Sequence, residues 1–258
     1  MKPIIESYNL EDEPLYNKSY LFIKGFATGR RLPNTLKALP LARKFHNGQY
    51  RKGTAIVDGK EARLPYVLHV LKVCSTLISL DLLLDTKELD ILCSIALLHD
   101  CIEDAEEYFP NGGSELITEY GMPREVFEGV KLVSKRSGAS YEELNEYFNN
   151  IKLNKLALLV KLADRSHNVE DLYNMKAEKL HKYVKETRDF IYPLCSYGKQ
   201  NYPELSNGFT ILKSKIVSLT ELTETIVELY EEKLREKDAE ILKLKEENNN
   251  ILLWNEKE

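Results

Sequence analysis

The chain lacks the long hydrophobic run that a membrane-spanning helix needs. Its 258 residues contain only short apolar stretches, such as the one from Ile91 to Leu98, whereas a helix that crosses a bilayer takes roughly 20 residues. The N-terminal stretch has acidic residues where a secretory signal would need apolar ones, namely Glu6, Glu11, Asp12 and Glu13. We therefore expect a protein that neither spans a membrane nor is secreted.

Cysteine is scarce, and the spacing of its four copies forms no C-x-x-C pair. Three of the four lie in apolar surroundings with helical periodicity. The residues are Cys74, Cys93, Cys101 and Cys195. This usage is typical of reduced thiols in the core of a cytoplasmic protein.

The chain also has fewer basic than acidic residues. Its 36 lysines and arginines stand against 41 aspartates and glutamates, which gives a formal net charge of −5. This balance argues against a protein that coats the phosphate backbone of a nucleic acid. It leaves room for a local basic pocket that binds a small anion. A 43% hydrophobic fraction is enough to bury a core.

Helical periodicity dominates the rest of the sequence. One stretch predicts strands: residues 54–57 and 60–64 flank an Asp58-Gly59 turn, which is typical of a β-hairpin. Long helices are predicted at 65–79, 86–104 and 155–174. We expect an all-α protein with one small hairpin, divided into an N-terminal extension (1–34), a central domain (35–200) and a C-terminal helical extension (201–258).

The C-terminal extension contains no glycine or proline between Ser218 and Trp254. Apolar residues recur there at alternating spacings of three and four: Val227, Tyr230, Leu234, Ile241, Leu244 and Ile251. Lys237 and Asn248 fill the two gaps. Two structures fit this heptad pattern. One is a long amphipathic helix that folds back on the domain, and the other is a coiled coil that joins copies of the chain into a homo-oligomer.

The most informative motif runs from Leu97 to Asp104, L-L-H-D-C-I-E-D. On one continuous helix, its histidine and three carboxylates would project from roughly one face. They directly follow an apolar run, and carboxylates crowded in apolar surroundings repel each other unless a cation neutralises them. His99 and Asp100 are natural ligands for a divalent first-row metal. The alternative is an exposed acidic helix end with an incidental histidine.

Two further motifs support the metal interpretation. Asp164 follows another apolar run and needs a partner if it is buried. A metal would supply that partner, and the alternative is an ordinary surface pair between Asp164 and Arg165. His69 lies one turn into the helix after the hairpin. Alone, it is more typical of a core histidine than of a ligand, so its weight comes from the combination.

The segment from Ala42 to Gly53 concentrates basic residues in an otherwise acidic chain. One interpretation is a solvated basic loop. The other is a cradle for the phosphates and base of a nucleotide, because arginine makes bidentate phosphate contacts and stacks on purines.

The order of these motifs, H-x-G-Q-x-R-K, P-Y-x-x-H, L-L-H-D-x-x-E-D and K-L-A-D-R-x-H-N, resembles the HD-domain hydrolases of the RelA/SpoT type, including small stand-alone alarmone hydrolases. The resemblance runs from about Ala38 to Pro193. It implies a helical HD-domain bundle that binds one Mn²⁺-like divalent ion per chain. It also implies removal of the 3′-pyrophosphate from ppGpp and pppGpp.

The resemblance implies a role for each residue that matches the motifs. The implied metal ligands are His69, His99, Asp100 and Asp164. The implied catalytic acidic pair is Glu103 and Asp104. The implied nucleotide contacts are Arg51, Lys52 and Asn168, and we add His46, which opens the first motif. A small nucleotide is thus the expected partner, with no nucleic acid polymer and no membrane.

Three departures from the family pattern put the substrate in doubt more than the chemistry. The hairpin before Pro65 is longer than usual, Ala105 stands where threonine is common, and Val70 follows His69 in place of proline. Two alternatives therefore stay open: an HD phosphohydrolase for another nucleotide or phosphoester, and a non-catalytic nucleotide-binding or interaction protein. The residues after Leu194 look helical and too few for a synthetase domain, so we expect degradation of the nucleotide rather than synthesis.

Overall fold

The computed structural model describes residues 14–51, 55–57, 60–135, 138–174 and 177–255. Twelve α-helices form most of this part of the chain. Their bounds are α1 Pro14–Arg30, α2 Pro33–Phe45, α3 Val67–Ser79, α4 Thr86–Leu98, α5 Cys101–Asp104, α6 Glu115–Thr118, α7 Arg124–Val133, α8 Tyr141–Ile151, α9 Lys155–Asn168, α10 Ala177–Glu186, α11 Tyr192–Asn201 and α12 Ser206–Asn255. The predicted all-α class and the long C-terminal helix are confirmed.

Short segments connect some of these helices. Three are 3₁₀ turns, at Glu106–Tyr108, Val169–Asn174 and Pro203–Leu205, and Thr187–Ile191 is a π-helical turn between α10 and α11. The hairpin lies where the sequence predicts it. Its strands are β1 Ala55–Val57 and β2 Lys60–Ala62, which pair antiparallel with Ala55 opposite Ala62. Thr54 and the Asp58-Gly59 turn lie outside the described residues.

Helix α4 lies at the centre of the bundle and packs against α2, α3, α7 and α9. Its residues from Leu89 to Leu98 are buried on every side, which explains why this stretch is almost continuously apolar. Close approach to α7 depends on Gly129, where an added Cβ would lie 2.2 Å from Cδ1 of Ile95. The core therefore surrounds the helix that leads directly into the L-L-H-D motif.

The N-terminal part of the chain is more regular than the sequence suggested. Residues 14–30 form α1, which packs on α3 with Ile23 and Ala27 fully buried. The sequence predicts a short helix from Leu41 to Phe45 with Pro40 in its first turn. The helix starts earlier, at Pro33, so Pro40 lies inside it. The proposed boundaries at residues 34 and 200 stay a prediction.

The early start of α2 has a tertiary cause in the buried carboxylate of Asp90 on α4. Its two oxygens accept hydrogen bonds from the backbone nitrogens of Asn34 and Thr35 at 3.1 and 2.7 Å. They also accept from the side chains of Asn34 and Thr35, each at 2.8 Å. Asp90 thus satisfies free N–H groups at the N-terminus of α2, the role usually filled by a capping residue of the same helix.

Helix α12 has two parts, and among its described side chains only those of the first part pack against the rest of the chain. In its first part Phe209, Leu212, Ile216 and Thr220 are buried, against elements that include α9 and α11. The ion pair of Arg188 with Glu224 continues the contact, and Nε2 of His181 lies 3.5 Å from Oε1 of Glu231. From residue 232 to 247 every side chain is exposed. The helix therefore packs on the domain first and then extends beyond it.

The sequence predicted that the chain has no membrane-spanning helix and that its cysteines are buried and reduced. Within that part of the chain, none of the helices has the length and apolar character needed to cross a bilayer. All four cysteines are free and buried, as expected of reduced core thiols.

We predict that Asp90→Asn destabilises the fold by about 2 kcal/mol, because the amide would turn an N–H group toward backbone donors that now bond to a carboxylate. Urea unfolding followed by circular dichroism measures the change. Glu107→Gln, on an exposed glutamate, is the matched control and should leave the midpoint unchanged. Equal midpoints for the two variants would contradict the capping role of Asp90.

Candidate metal centre and active site

Three helices bring the candidate metal ligands together. His69 lies in the first turn of α3, His99 and Asp100 form the turn that follows α4, and Asp164 lies near the end of α9. Each pair of these helices is in contact. Residues far apart in sequence therefore meet in the interior, where His69, His99 and Asp164 are buried.

The ligand atoms face one another across a small space. Nε2 of His69 lies 3.2 Å from Oδ1 of Asp164 and 3.4 Å from Oδ2 of Asp100. Nε2 of His99 lies 3.0 Å from Oδ2 of Asp100 and 3.8 Å from Oδ1 of Asp164. His69, His99 and Asp164 each offer a ligand atom within 4.8 Å of the others. This buried His/Asp group could hold a divalent metal ion.

The unused hydrogen-bonding capacity of the two imidazoles fits a metal. Within the described part of the chain, Nε2 of His69 and Nε2 of His99 are buried, and although carboxylate oxygens lie near them, neither makes a hydrogen bond of good geometry. The opposite nitrogen of each ring is engaged: Nδ1 of His99 lies 2.8 Å from the carbonyl of Ala96, and Nδ1 of His69 lies 2.6 Å from Nδ1 of His167. When Nδ1 keeps its proton, a cation can bind at Nε2 in place of any second proton, which is the usual arrangement of a metal-ligating histidine.

The charges of the site are strongly coupled. Burial alone would lower the pKa of His99, but Asp100 and Asp164 outweigh it and raise that pKa to about 10. Burial alone would raise the pKa of both carboxyls. His99 nearby, together with Lys161 in the case of Asp164, holds the pKa of both well below its usual range. Two ionised carboxylates in a buried site call for compensating positive charge.

Several residues that the sequence analysis did not assign to the site hold the ligands in place. Tyr66 donates a hydrogen bond of 2.7 Å from its hydroxyl to Oδ2 of Asp100. Lys161 donates to Oδ2 of Asp164 at 3.1 Å, and His167 contacts His69. Tyr66 and Lys161 lie inside the quoted motifs, and His167 is the histidine of K-L-A-D-R-x-H-N, so the motifs carried a signal. Which ligand each one contacts required the structure.

The alternative of a surface pair between Asp164 and Arg165 is not what the structure shows. Arg165 is buried, donates to Glu186 at 2.5 Å and to Thr187 at 2.9 Å, and lies 4.2 Å from the ring centroid of Tyr183. Consecutive residues on a helix point in different directions, so Asp164 faces the site while Arg165 faces α10 and the π-helical turn.

The predicted single helix over residues 86–104 is wrong at the site, and so is the expectation that its four polar side chains share one helical face. α4 ends at Leu98, and α5 begins at Cys101 after the turn. His99 and Asp100 therefore point into the interior, whereas Glu103 and Asp104 reach solvent. The largely apolar helix α4 ends where these polar residues begin.

Glu103 is held at the edge of the site, where its carboxylate accepts a hydrogen bond from the backbone nitrogen of Lys135. Desolvation raises the pKa of Glu103 to about 7. Desolvation and the charge of Asp100 also raise the pKa of Asp104 above its usual value. A carboxyl that changes protonation near neutral pH beside a polar cluster is suited to general base work.

The predicted substrate contacts lie on the rim and wall of the site. Arg51 donates to Asp171 at 2.6 Å and to Asn168 at 3.2 Å. Asn168 also donates to Oδ1 of Asp164 at 2.5 Å, so one amide connects the rim to a candidate ligand. Lys52 lies outside the described residues.

His46 is buried in the wall rather than exposed in a basic loop. Its Nδ1 lies 2.8 Å from Oε1 of Gln49, and its ring centroid lies 5.0 Å from that of Tyr66. Burial lowers the pKa of His46, so the ring is neutral. Gln49 in turn donates to the backbone carbonyl of Asp104 at 2.5 Å, which connects this wall to the acidic pair.

Comparison with known proteins shows which proteins the chain resembles. No family model matches the chain. The chain is 30% identical over 161 residues to the guanosine-3′,5′-bis(diphosphate) 3′-pyrophosphohydrolase of Haemophilus influenzae, a match of 60% of this chain and 21% of that protein. It is 34% identical over 172 residues to a GTP pyrophosphokinase of Myxococcus xanthus, covering 62% of this chain and 20% of the relative. These matches support the assignment of the chain to the RelA/SpoT family of HD-domain proteins.

Other RelA/SpoT-family relatives give the same result. A GTP pyrophosphokinase of Brucella abortus is 35% identical over 144 residues, which are 54% of this chain and 18% of that protein. The chain thus spans about a fifth of the length of the curated relatives it matches. These relatives are named both as hydrolases and as pyrophosphokinases, so the comparison supports an enzyme of this family without deciding between the two activities.

We predict that His99→Ala and Asp100→Asn each bind less divalent metal than the unaltered protein, and that added metal no longer raises their melting temperature. Each change removes one candidate ligand, and metal binding is coupled to folding. Elemental analysis and thermal melting with and without metal measure the effect. Asp189→Asn, at a partly exposed aspartate away from the site, is the control. Full metal content in both site variants would refute the ligand assignment.

We also predict a role for the contact between His167 and His69. His167→Leu removes the acceptor for the Nδ1 proton of His69 and should weaken metal binding about 10-fold or more, as loss of such outer partners typically does. His167→Asn keeps an acceptor near the same place and should retain more of the affinity. Calorimetric titration gives the constants, with His181→Leu on the exposed surface as control. Equal affinities for the leucine variant and the unaltered protein would contradict this role.

Proposed function

We propose that the chain is a metal-dependent phosphohydrolase that removes the 3′-pyrophosphate of guanosine tetraphosphate and pentaphosphate. In this reaction the oxygen of water bonds to the phosphorus attached to the 3′ oxygen. The bond between that phosphorus and the 3′ oxygen breaks, the 3′ oxygen gains a proton, and pyrophosphate leaves. The tetraphosphate thus yields GDP. The observation that carries the proposal is the buried pair of imidazole nitrogens that lack a hydrogen bond of good geometry and face two ionised carboxylates, with a carboxyl of raised pKa beside them.

We assign the metal site to His69, His99, Asp100 and Asp164, and we propose Mn²⁺ as the ion. Mixed imidazole and carboxylate ligands suit first-row divalent metals. A bound ion would act as a Lewis acid toward a phosphoryl oxygen and lower the pKa of water. Tyr66 and Asn168 keep the two carboxylates oriented through the hydrogen bonds described above.

Glu103 is the proposed general base. Its raised pKa of about 7 means that near neutral pH it exists partly as carboxylate and is a strong enough base to take a proton from the attacking water. The hydrogen bond from the backbone of Lys135 limits its orientation. Asp104, one residue on, orients the same water or carries the proton away.

The substrate contacts are proposed on the rim. Arg51 offers a planar guanidinium for a phosphate or for stacking on the base. In this structure it bonds to Asp171 and Asn168, so these two residues hold it at the opening of the site. His46 completes the wall beneath it, and Lys52 follows Arg51 directly in the chain.

Hydrolysis is favoured over pyrophosphate transfer by the chemistry of the described site. A raised-pKa carboxyl beside a buried His/Asp group is the arrangement needed to activate water. One relative is itself named a 3′-pyrophosphohydrolase. The proposal extends the family assignment to one activity, in the cytoplasm, on a small nucleotide rather than on a polymer or a membrane.

We predict that the purified protein with Mn²⁺ converts ppGpp to GDP and pyrophosphate, and that EDTA abolishes the reaction. A panel that also includes pppGpp and adenine nucleotides, with products identified by mass, tests the substrate. Equal turnover of guanine and adenine nucleotides would favour a less specific HD phosphohydrolase. Binding of ppGpp with no turnover of any substrate would favour the non-catalytic alternative.

We further predict that Glu103→Gln keeps metal binding but lowers kcat by two or more orders of magnitude, because the amide cannot accept the proton. In the unaltered enzyme Glu103 is active only when deprotonated. The rate should therefore rise as pH increases through about 7, the pKa of Glu103, and this rise should be lost in the residual activity of the variant. Glu107→Gln, on the nearby exposed surface, is the control. An unchanged pH profile in Glu103→Gln would remove it as the base.

A further inference from the structure

The last part of α12, which we call the distal helix and define as residues 232–255, extends beyond the domain. Every side chain described in it, from 232 to 247, is exposed. Its 24 residues would reach about 36 Å at the α-helical rise of 1.5 Å per residue. Most helical stability in proteins comes from packing of one face. A partner surface would therefore stabilise the distal helix.

The apolar residues on and just before the distal helix form one stripe. Tyr230 is 65% exposed, Leu234 61%, Ile241 49% and Leu244 53%. Their spacings of four, seven and three residues keep them on one side of the helix, as positions a and d of a heptad repeat do. An exposed apolar stripe of this kind, interrupted here by Lys237, is typical of an interaction site. The shape of the stripe, long and narrow, fits another helix.

The charges beside the stripe indicate which helix. With Leu234 and Ile241 at position a, the charged residues at position g are Lys233, Glu240 and Glu247. Those at position e are Asp238 and Lys245, with Glu231 just before the distal helix. We propose that the distal helix pairs with the distal helix of a second copy of this chain in a parallel, in-register coiled coil. In that arrangement each g residue faces the e residue five positions further along in the other copy. Lys233 then faces Asp238, and Glu240 faces Lys245, so every charged g–e pair is attractive.

The opposite orientation is less complementary. In an antiparallel pair with the same stripe overlapped, g faces g and e faces e. Lys233 would then face Glu247, and Lys245 would face Glu231, but Glu240 would lie opposite Glu240 of the second copy and Asp238 opposite Asp238. Like charges in direct opposition are unfavourable. Because the parallel pair contains no like-charged g–e pair, the g and e charges favour the second copy in the parallel orientation.

Two polar residues interrupt the stripe. The sequence places Asn248 at position a, where an asparagine pairs with its own copy in a parallel dimer and restricts register. Lys237 is at position d, so it faces Lys237 of the second copy, and Asp238 at the adjoining position e offers each lysine a carboxylate. Both residues reduce stability relative to leucine, and Asn248 favours the in-register alignment over the others.

A first experiment measures the mass of the full chain by sedimentation at tens of micromolar, where we expect a dimer. Lys233→Glu with Glu240→Lys reverses the g charge of both charged g–e pairs without altering net charge and makes both pairs repulsive, so this variant should be monomeric. Adding Asp238→Lys and Lys245→Glu restores opposite charges and should restore the dimer. A melting curve confirms that the domain stays folded in each variant, since all four residues are exposed.

A second experiment tests orientation. In a parallel, in-register dimer, residue 234 of one copy lies against residue 234 of the other, so Leu234→Cys should form a disulfide-linked dimer under mild oxidation. Leu242→Cys, at an exposed position off the stripe, is the matched control and should cross-link far less. The four native cysteines are buried, and the unaltered chain measures their background. A monomeric unaltered chain, no effect of the g reversal, or equal cross-linking by the two cysteine variants would overturn the proposal.

Discussion

Two ionised carboxylates, Asp100 and Asp164, lie against the same two buried imidazoles. The surrounding helices have to place positive charge and hydrogen-bond donors next to these carboxylates. Moving a carboxylate from water into a protein interior costs several kcal/mol unless positive charge and hydrogen bonds compensate. In this protein the compensation comes from His99, from Lys161, and from the donors Tyr66 and Asn168. Lys161 and Asn168 belong to α9, Tyr66 precedes α3 and His99 follows α4, so the packing of these helices brings each carboxylate to its partners. A divalent cation fits the same place because it would supply positive charge at Nε2 of the imidazoles, in place of the proton that the carboxylates hold on His99.

Helix α4 connects the site with the N-terminal helices. Its middle is mostly apolar, and polar residues lie near its two ends. In its first half, Asp90 binds the N-terminus of α2, and at its end His99 and Asp100 enter the site. The break after Leu98 separates residues that the sequence places side by side. Asp100 turns inward and stays ionised, whereas Glu103 reaches partial solvent and has a pKa near 7. One short motif thus supplies carboxyls with two different properties, because their surroundings differ.

The long C-terminal helix connects the outside of the molecule to the rim of the site. Lys215, in its packed first part, pairs with Glu170, which precedes Asp171 in the segment after α9. Asp171 in turn holds Arg51. The same helix leaves the domain after Glu231 with an apolar stripe exposed. The first part of the helix therefore packs within the chain, and the second part is exposed for contact with another surface.

The amino-acid sequence alone determined the helical class, the hairpin and the motifs that carry the site. Periodicity depends on local chain geometry, so it predicted α3 from its first turn to Ser79. The order of four short motifs indicated the family. The tertiary structure decided what depends on distant contacts. Helix α2 starts at Pro33 because Asp90, 57 residues further along the chain, binds its N-terminus. Helix α4 ends at the site because its packing changes there. The tertiary structure also turned Asp164 toward two histidines and Arg165 toward Glu186, and it placed His167 against His69. Such pairings are set by how helices pack against one another, which local sequence patterns do not contain.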